Sequence, residues 1–211
     1  MKNKTLLIAA AALVAGVVSS EAQVYSANVV GYANVPLATG YTLVANPLDD
    51  GNGNQLTNLV AGLPNKSQVV TWNGTGYNTA IIKGASGWAS SVPLPPGTGF
   101  FVKVPSGQTN VFVGSVIAAA GASVTNSLAT GYNLVGSPIA YAGDATTSTS
   151  INLGGTLANK SQLVDWNSGT QGFDTAVIKG ASGWGGSFPI TVGQGFFVKT
   201  PAPATWVQTL P

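Results

Sequence analysis

Apolar residues come along this chain in short runs, each closed off by Gly, Pro or Asn. The runs at 24–35, 41–45, 68–72, 77–82, 100–104 and 110–116 are rich in Val, Ile, Phe and Tyr, which marks them as short β-strands. Between two of them the chain reads Trp72-Asn-Gly-Thr-Gly-Tyr77. Asn-Gly between apolar runs is the strongest short hairpin signal, because both central residues take φ > 0 at little cost. Segment 55–61 places Leu56, Leu59 and Val60 at helical spacing and predicts a short helix. Its later counterpart, 151–157, contains Gly154 and Gly155, which weigh against a helix there. Short strands with Gly and Pro turns predict an all-β sandwich or barrel.

The pattern occurs twice. LATGYTLVANP (37–47) returns as LATGYNLVGSP (128–138), and NKSQVVTWN (65–73) as NKSQLVDWN (159–167). TAIIKGASGW (79–88) returns as TAVIKGASGW (175–184), and GTGFFVKVP (97–105) as GQGFFVKTP (193–201). Across these blocks 31 of 39 positions are identical, so the chain is a tandem duplication. The offset grows from 91 to 94 to 96, which puts insertions between Pro47 and Asn65 and within the Trp72–Tyr77 turn. Length change confined to that turn supports the hairpin. The fold expected is all-β: two tandem homologous β-sandwich-like repeats, related by a pseudo-two-fold, behind an N-terminal signal helix. The divisions are 1–22, 23–116 and 117–211, and the apolar, small residues of 115–124 favour two lobes packed closely.

Residues 1–22 read as a secretory signal peptide. Lys2 and Lys4 precede an apolar stretch at 6–18, and Ser20 and Ala22 supply small residues before a cleavage site at Gln23. Thirteen apolar residues fall short of the roughly 20 that a spanning helix needs. The expected product is exported, extracellular or at the cell surface, with the periplasm as the other address, and holds no stable membrane insertion once cleaved.

Charge is scarce. Only 7% of the 211 residues are charged, all eight basic residues are Lys, and there is no His, Arg or Cys. These absences exclude a His-based triad, a thiolate nucleophile, a disulfide and an Arg clamp on phosphate. A net charge of +2 from scattered Lys does not argue for nucleic acid. No cofactor is expected.

The blocks GYxLVxxP, VxxWN and GxGFFVK resemble a loosely defined family of secreted bacterial repeats, found in exported proteins and in the tails of larger surface proteins. The resemblance spans roughly residues 29–207. It implies β-sandwich units and an exported location, and it implies no defined chemistry.

Comparing the copies weighs the candidate sites. Lys66 pairs with Lys160, Lys83 with Lys179 and Lys103 with Lys199, whereas no Asp lies at an equivalent position in both copies. A paired-carboxylate hydrolase would therefore have to live in one copy, from Asp144, Asp165 and Asp174. The paired Lys suit strand faces or edges, where charge blocks edge-to-edge pairing, or a cation array for an anionic partner. Trp72 with Trp166 and Trp88 with Trp184, together with Asn73 and Asn167, have the make-up of a carbohydrate-binding surface, in which rings stack on sugar C–H groups and amides take hydroxyls. The other reading of these Trp residues is core packing. Asp50, Asn52 and Asn54 match the first three ligand positions of a calcium loop, but Gln55 and Ala61 stand where that loop needs Gly and Glu, so a plain turn is the better reading and no metal is expected. The expectation is a non-enzymatic structural or surface protein whose partner is itself or a surface polysaccharide. A carbohydrate-binding module is the alternative.

Overall fold

The computed structural model describes residues 30–211, so the expected signal peptide and the start of the first expected strand lie outside the described residues. Their regular secondary structure is nearly all β-strand. Lobe 1 contains β1 (Val30–Leu37), β2 (Gly40–Ala45), β3 (Gln68–Val70), β4 (Ile81–Gly84), β5 (Gly87–Trp88), β6 (Gly99–Val104) and β7 (Gln108–Ser115). Lobe 2 contains β8 (Ser123–Leu128), β9 (Gly131–Gly136), β10 (Gly143–Asp144), β11 (Gln162–Val164), β12 (Trp166–Asn167), β13 (Gly172–Phe173), β14 (Val177–Gly180), β15 (Gly183–Trp184), β16 (Pro189–Ile190), β17 (Gly195–Thr200) and β18 (Ala204–Thr209).

Each lobe is a two-stranded antiparallel ribbon packed on a five-stranded sheet. In lobe 1 the ribbon is β1–β7 and the sheet order is β2-β6-β3-β4-β5; in lobe 2 the ribbon is β8–β18 and the order is β9-β17-β11-β14-β15. Period-two alternation sets the layers. Ala33, Val35 and Leu37 of β1 and Phe112 of β7 point inward onto Phe100, Val102 and Val104 of β6, and Leu56, Leu59, Val60 and Leu63 close that core. The alternate β6 residue, Phe101, faces away from it. Lobe 2 repeats this with Phe196 and Val198 inward and Phe197 outward. Its core is filled by Trp206, which is fully buried and donates its indole N–H to the Ile151 carbonyl.

Two local expectations differ from the structure. Segment 77–82 is not one strand, because Asn78 turns its N–H to the Thr71 carbonyl and regular pairing starts at Ile81. Segment 151–157 is helical after all, as the single turn Leu153–Thr156, matching Leu56–Leu59 in lobe 1. Gly154 does not break that turn. It is needed because the Thr146 carbonyl passes too close to admit a Cβ. Among the described residues no helix is long and apolar enough to cross a membrane.

The lobes meet through the outward faces of their sheets. Leu43, Phe101, Leu134 and Phe197 form a third buried cluster between them. The backbone contacts at the centre of the seam come in pseudo-two-fold pairs. Ala45 N donates to Gly193 O (2.8 Å) and Gly136 N to Gly97 O (3.0 Å), and the backbones bridge at Val44–Gln194 and Thr98–Val135. The backbones lie so close that a Cβ on Gly99 would stand 2.9 Å from Val135 N, and one on Gly195 2.5 Å from Val44 O.

Candidate functional site

The turns after β3 and β11 carry the seam outward. Trp72 pairs with Tyr77 across the first hairpin, and Trp166 pairs with Phe173 in the β12–β13 ladder. Both hairpins lean over the opposite lobe. Trp72 Nε1 donates to Tyr132 O and Trp166 Nε1 to Tyr41 O, each at 2.9 Å. Beneath them Trp72 meets Phe197 edge-on with centroids 5.3 Å apart, and Trp166 meets Phe101 in the same way at 5.2 Å. Eight aromatic residues, four from each repeat, thus tile one groove, mostly in edge-to-face contacts, the arrangement that ring quadrupoles favour.

Two apolar clefts flank the pseudo-axis. One, of about 380 Å³, lies among Trp72, Tyr77, Tyr132, Phe173 and Phe197; its mate, of about 330 Å³, lies among Tyr41, Tyr77, Phe101, Trp166 and Phe173. Tyr77 and Phe173 stand in both, 48% and 49% exposed. Burial raises the Tyr77 phenol above its ordinary pKa. At the outer ends Lys103 Nζ sits 5.2 Å from the Tyr41 ring centroid and Lys199 Nζ 5.0 Å from that of Tyr132. Both Lys rise from interior strands, β6 and β17, so they mark a sheet face and not an edge.

The structure brings some of the candidate residues together and separates others. Trp72 and Trp166 share the groove. Asn73 and Asn167 sit beside them but spend their side-chain oxygens closing their own turns, on the N–H groups of Thr75 and Gly76 and of Gly169 and Thr170. Trp88 and Trp184 lie elsewhere, half-buried against the core of their own lobes, with Lys83 and Lys179 each 6.0 Å from the ring. Lys83 Nζ donates to the carbonyls of Ala61 and Leu63, and Lys179 Nζ to those of Gly154 and Leu157, which seals the end of each helical turn. Lys66 and Lys160 are exposed, at φ 71 in turns.

The carboxylates are also engaged. Asp50 Oδ1 accepts from the N–H groups of Asn52 and Asn54, and Asn54 is tied to Asp49 and Asn46. Asp50, Asn52 and Asn54 thus form a self-closed turn. Among the described residues no three His, Cys, Asp or Glu side chains gather to hold a metal. Asp144 is held at about pKa 2: burial pushes it up, but hydrogen bonds from Ser187, Thr146 and Phe188 outweigh that. Burial raises Asp165 against hydrogen bonds from Trp166 N and Gln194, and the charge of Asp174 adds to the rise.

One feature escaped the sequence reading. On the outer face of the lobe 1 ribbon, Tyr32 is 74% exposed and its cross-strand partner Val113 55%, with Val111 beside them. The equivalent pair in lobe 2 is Ser123–Thr209, whose hydroxyls hydrogen-bond at 2.9 Å. The available signal was the alternation itself, which puts Tyr32 on the same side as Asn34 and Pro36.

No protein-family model matches the chain, and no curated protein or solved structure matches it either.

Proposed function

We propose that this is an exported, non-enzymatic structural or cell-surface protein that associates with itself through the outer face of the lobe 1 ribbon. The observation that carries the reading is the Tyr32–Val113 pair. Both lobes build the same ribbon, and lobe 2 builds it with Ser123 and Thr209 at that place. An exposed aromatic–aliphatic pair is therefore not a requirement of the fold, and an apolar surface that folding does not need is what a contact with another molecule uses. The sparse charge fits close lateral packing, and export rests on the character of residues 1–22.

The test is size-exclusion chromatography with light scattering on the chain from Gln23. The native chain should show a mass that grows with concentration. The variant Tyr32→Ser/Val113→Thr, which grafts the lobe 2 pair, should show a lower mass than the native chain at each concentration, with an unchanged thermal midpoint. A native chain that stays monomeric at high concentration overturns the reading.

A carbohydrate-binding module is the second reading, favoured by the half-exposed rings of Tyr77 and Phe173 in the groove. Against it, the indole N–H groups of Trp72 and Trp166 and the Asn73 and Asn167 oxygens are already committed. Titrating tryptophan fluorescence with soluble oligosaccharides tests it.

A further inference from the structure

The seam between the lobes is closely symmetric, and besides the Gln171 contacts on Tyr41 it departs from symmetry at its centre. Position 45 in lobe 1 is equivalent to position 136 in lobe 2, and the two face each other across the pseudo-axis as Ala45 and Gly136. A Cβ on Gly136 would overlap the Ala45 methyl, well inside the 3.0 Å that Cβ atoms essentially never breach, and would stand 2.8 Å from the Gln194 carbonyl oxygen of its own lobe. Two copies of lobe 1 in this arrangement would oppose methyl to methyl, and two copies of lobe 2 would leave a gap. Lobe 1 therefore accepts lobe 2 and refuses itself.

Nothing in that rule requires the two lobes to belong to one chain. The seam is built as subunit interfaces are, from a buried apolar centre with reciprocal hydrogen bonds around it. The connector, 116–122, is made of small and apolar residues; its Val116 side chain packs on the lobe 1 core, but its backbone bonds are internal or reach Leu210 of lobe 2, with none to lobe 1. Seven residues extend to at most about 25 Å, enough to let a lobe leave its neighbour.

We infer that the Ala45–Gly136 contact is a steric key, and that the surface it guards docks the complementary lobe of a second copy of this chain, so that chains join by exchanging lobes. One reciprocal exchange gives a closed dimer. Successive exchange gives an open chain, because each molecule offers one lobe of each kind. The inference gives the self-association proposed above a second surface. It rests on that reading for its purpose and not for its geometry.

The key can be moved between chains. Gly136→Ala should lower the thermal midpoint by roughly 5 °C, the scale of an overpacked site in a chain of this size. Adding Ala45→Gly should recover part of that loss, since it removes the methyl and leaves the Gln194 carbonyl oxygen, 2.8 Å from the added Cβ, still to be accommodated. The decisive step mixes the two single variants. Within either chain the key is wrong, with two methyls or none, but lobe 1 of the Ala45→Gly chain fits lobe 2 of the Gly136→Ala chain, and the reverse pairing is also correct.

Unfolded together at equal concentration and refolded, they should yield a species of twice the chain mass containing one copy of each, read by native mass spectrometry. Running this in the Tyr32→Ser/Val113→Thr background separates it from ribbon contacts, so assembly that persists there before mixing counts against the ribbon reading alone. If Gly136→Ala fails to fold by itself, its recovery in soluble form with the Ala45→Gly chain reads the same way. A double variant no more stable than Gly136→Ala alone overturns the key. A double variant that is more stable, with a mixture that yields only monomers, overturns the exchange.

Discussion

The Asp144 carboxylate accepts from the hydroxyls of Ser187 and Thr146 and from the N–H groups of Thr146 and Phe188, and so joins two loops of lobe 2. Its folded pKa of about 2 lies below the ordinary 3.8. The stability it contributes is therefore present above 3.8 and is lost as pH falls through that value toward 2. Asp144→Asn should cost about 1 kcal/mol at neutral pH, a figure kept small because the group is partly exposed. Urea unfolding at pH 7 and across pH 4 to 2 checks this, and the variant should lose less on acidification than the native chain. Asp165, raised by burial, works in the opposite sense: its contribution is present below 3.8 and is lost as pH rises through its raised folded value. Residue identity in the sequence did not separate these roles. Trp88 and Trp72 both stand beside small polar residues, yet one ends against a lobe core and the other against the opposite lobe.

At the scale of elements the two hairpins make a comparison. Each sends an indole N–H to a carbonyl of the other lobe, but Tyr41 O also accepts from Gln171 Nε2 (3.0 Å), a residue in the longer turn of lobe 2, whereas Tyr132 O has no second donor among the hydrogen bonds of the described residues. Trp166→Phe leaves Tyr41 O still bonded, and Trp72→Phe strips Tyr132 O of its donor. Trp72→Phe should therefore be the more destabilising by about 1 kcal/mol, measured as the difference in urea midpoints at a common slope. The hairpin and its length change were legible from Asn-Gly and the shifting offset. What the turns reach was not legible, since those partners lie 60 and 125 residues away and leave no local period. The same limit hid the helical turn at Leu153–Thr156, where glycine answers a close approach by Thr146 that neighbouring residues do not reveal.

For the whole molecule, duplication and alternation carried the all-β architecture, because repeated blocks fold alike and a period of two decides which side is buried. The groove was half legible. Trp72 and Trp166 stood out as repeated aromatics, whereas Tyr41, Tyr77, Phe101 and their mates read as ordinary strand residues until two sheets brought them face to face. The shared cluster of Leu43, Phe101, Leu134 and Phe197 couples the lobes, so unfolding one bares apolar surface on the other. Scanning calorimetry of the ribbon variant should accordingly show one cooperative transition. Two resolved peaks would mean that the seam adds little.

The ribbons have a mechanical consequence. Each lobe begins and ends on the same antiparallel pair, with Val30 opposite Ser115 and Ser123 opposite Thr209. Chain entry and exit therefore sit side by side, and a pull between them acts along the hydrogen bonds, which run perpendicular to the strands, opening the rungs one after another instead of shearing them together. A lobe loaded in this way yields at low force and pays out length gradually, as a zip fastener does, so a strand of such lobes would stretch before it broke.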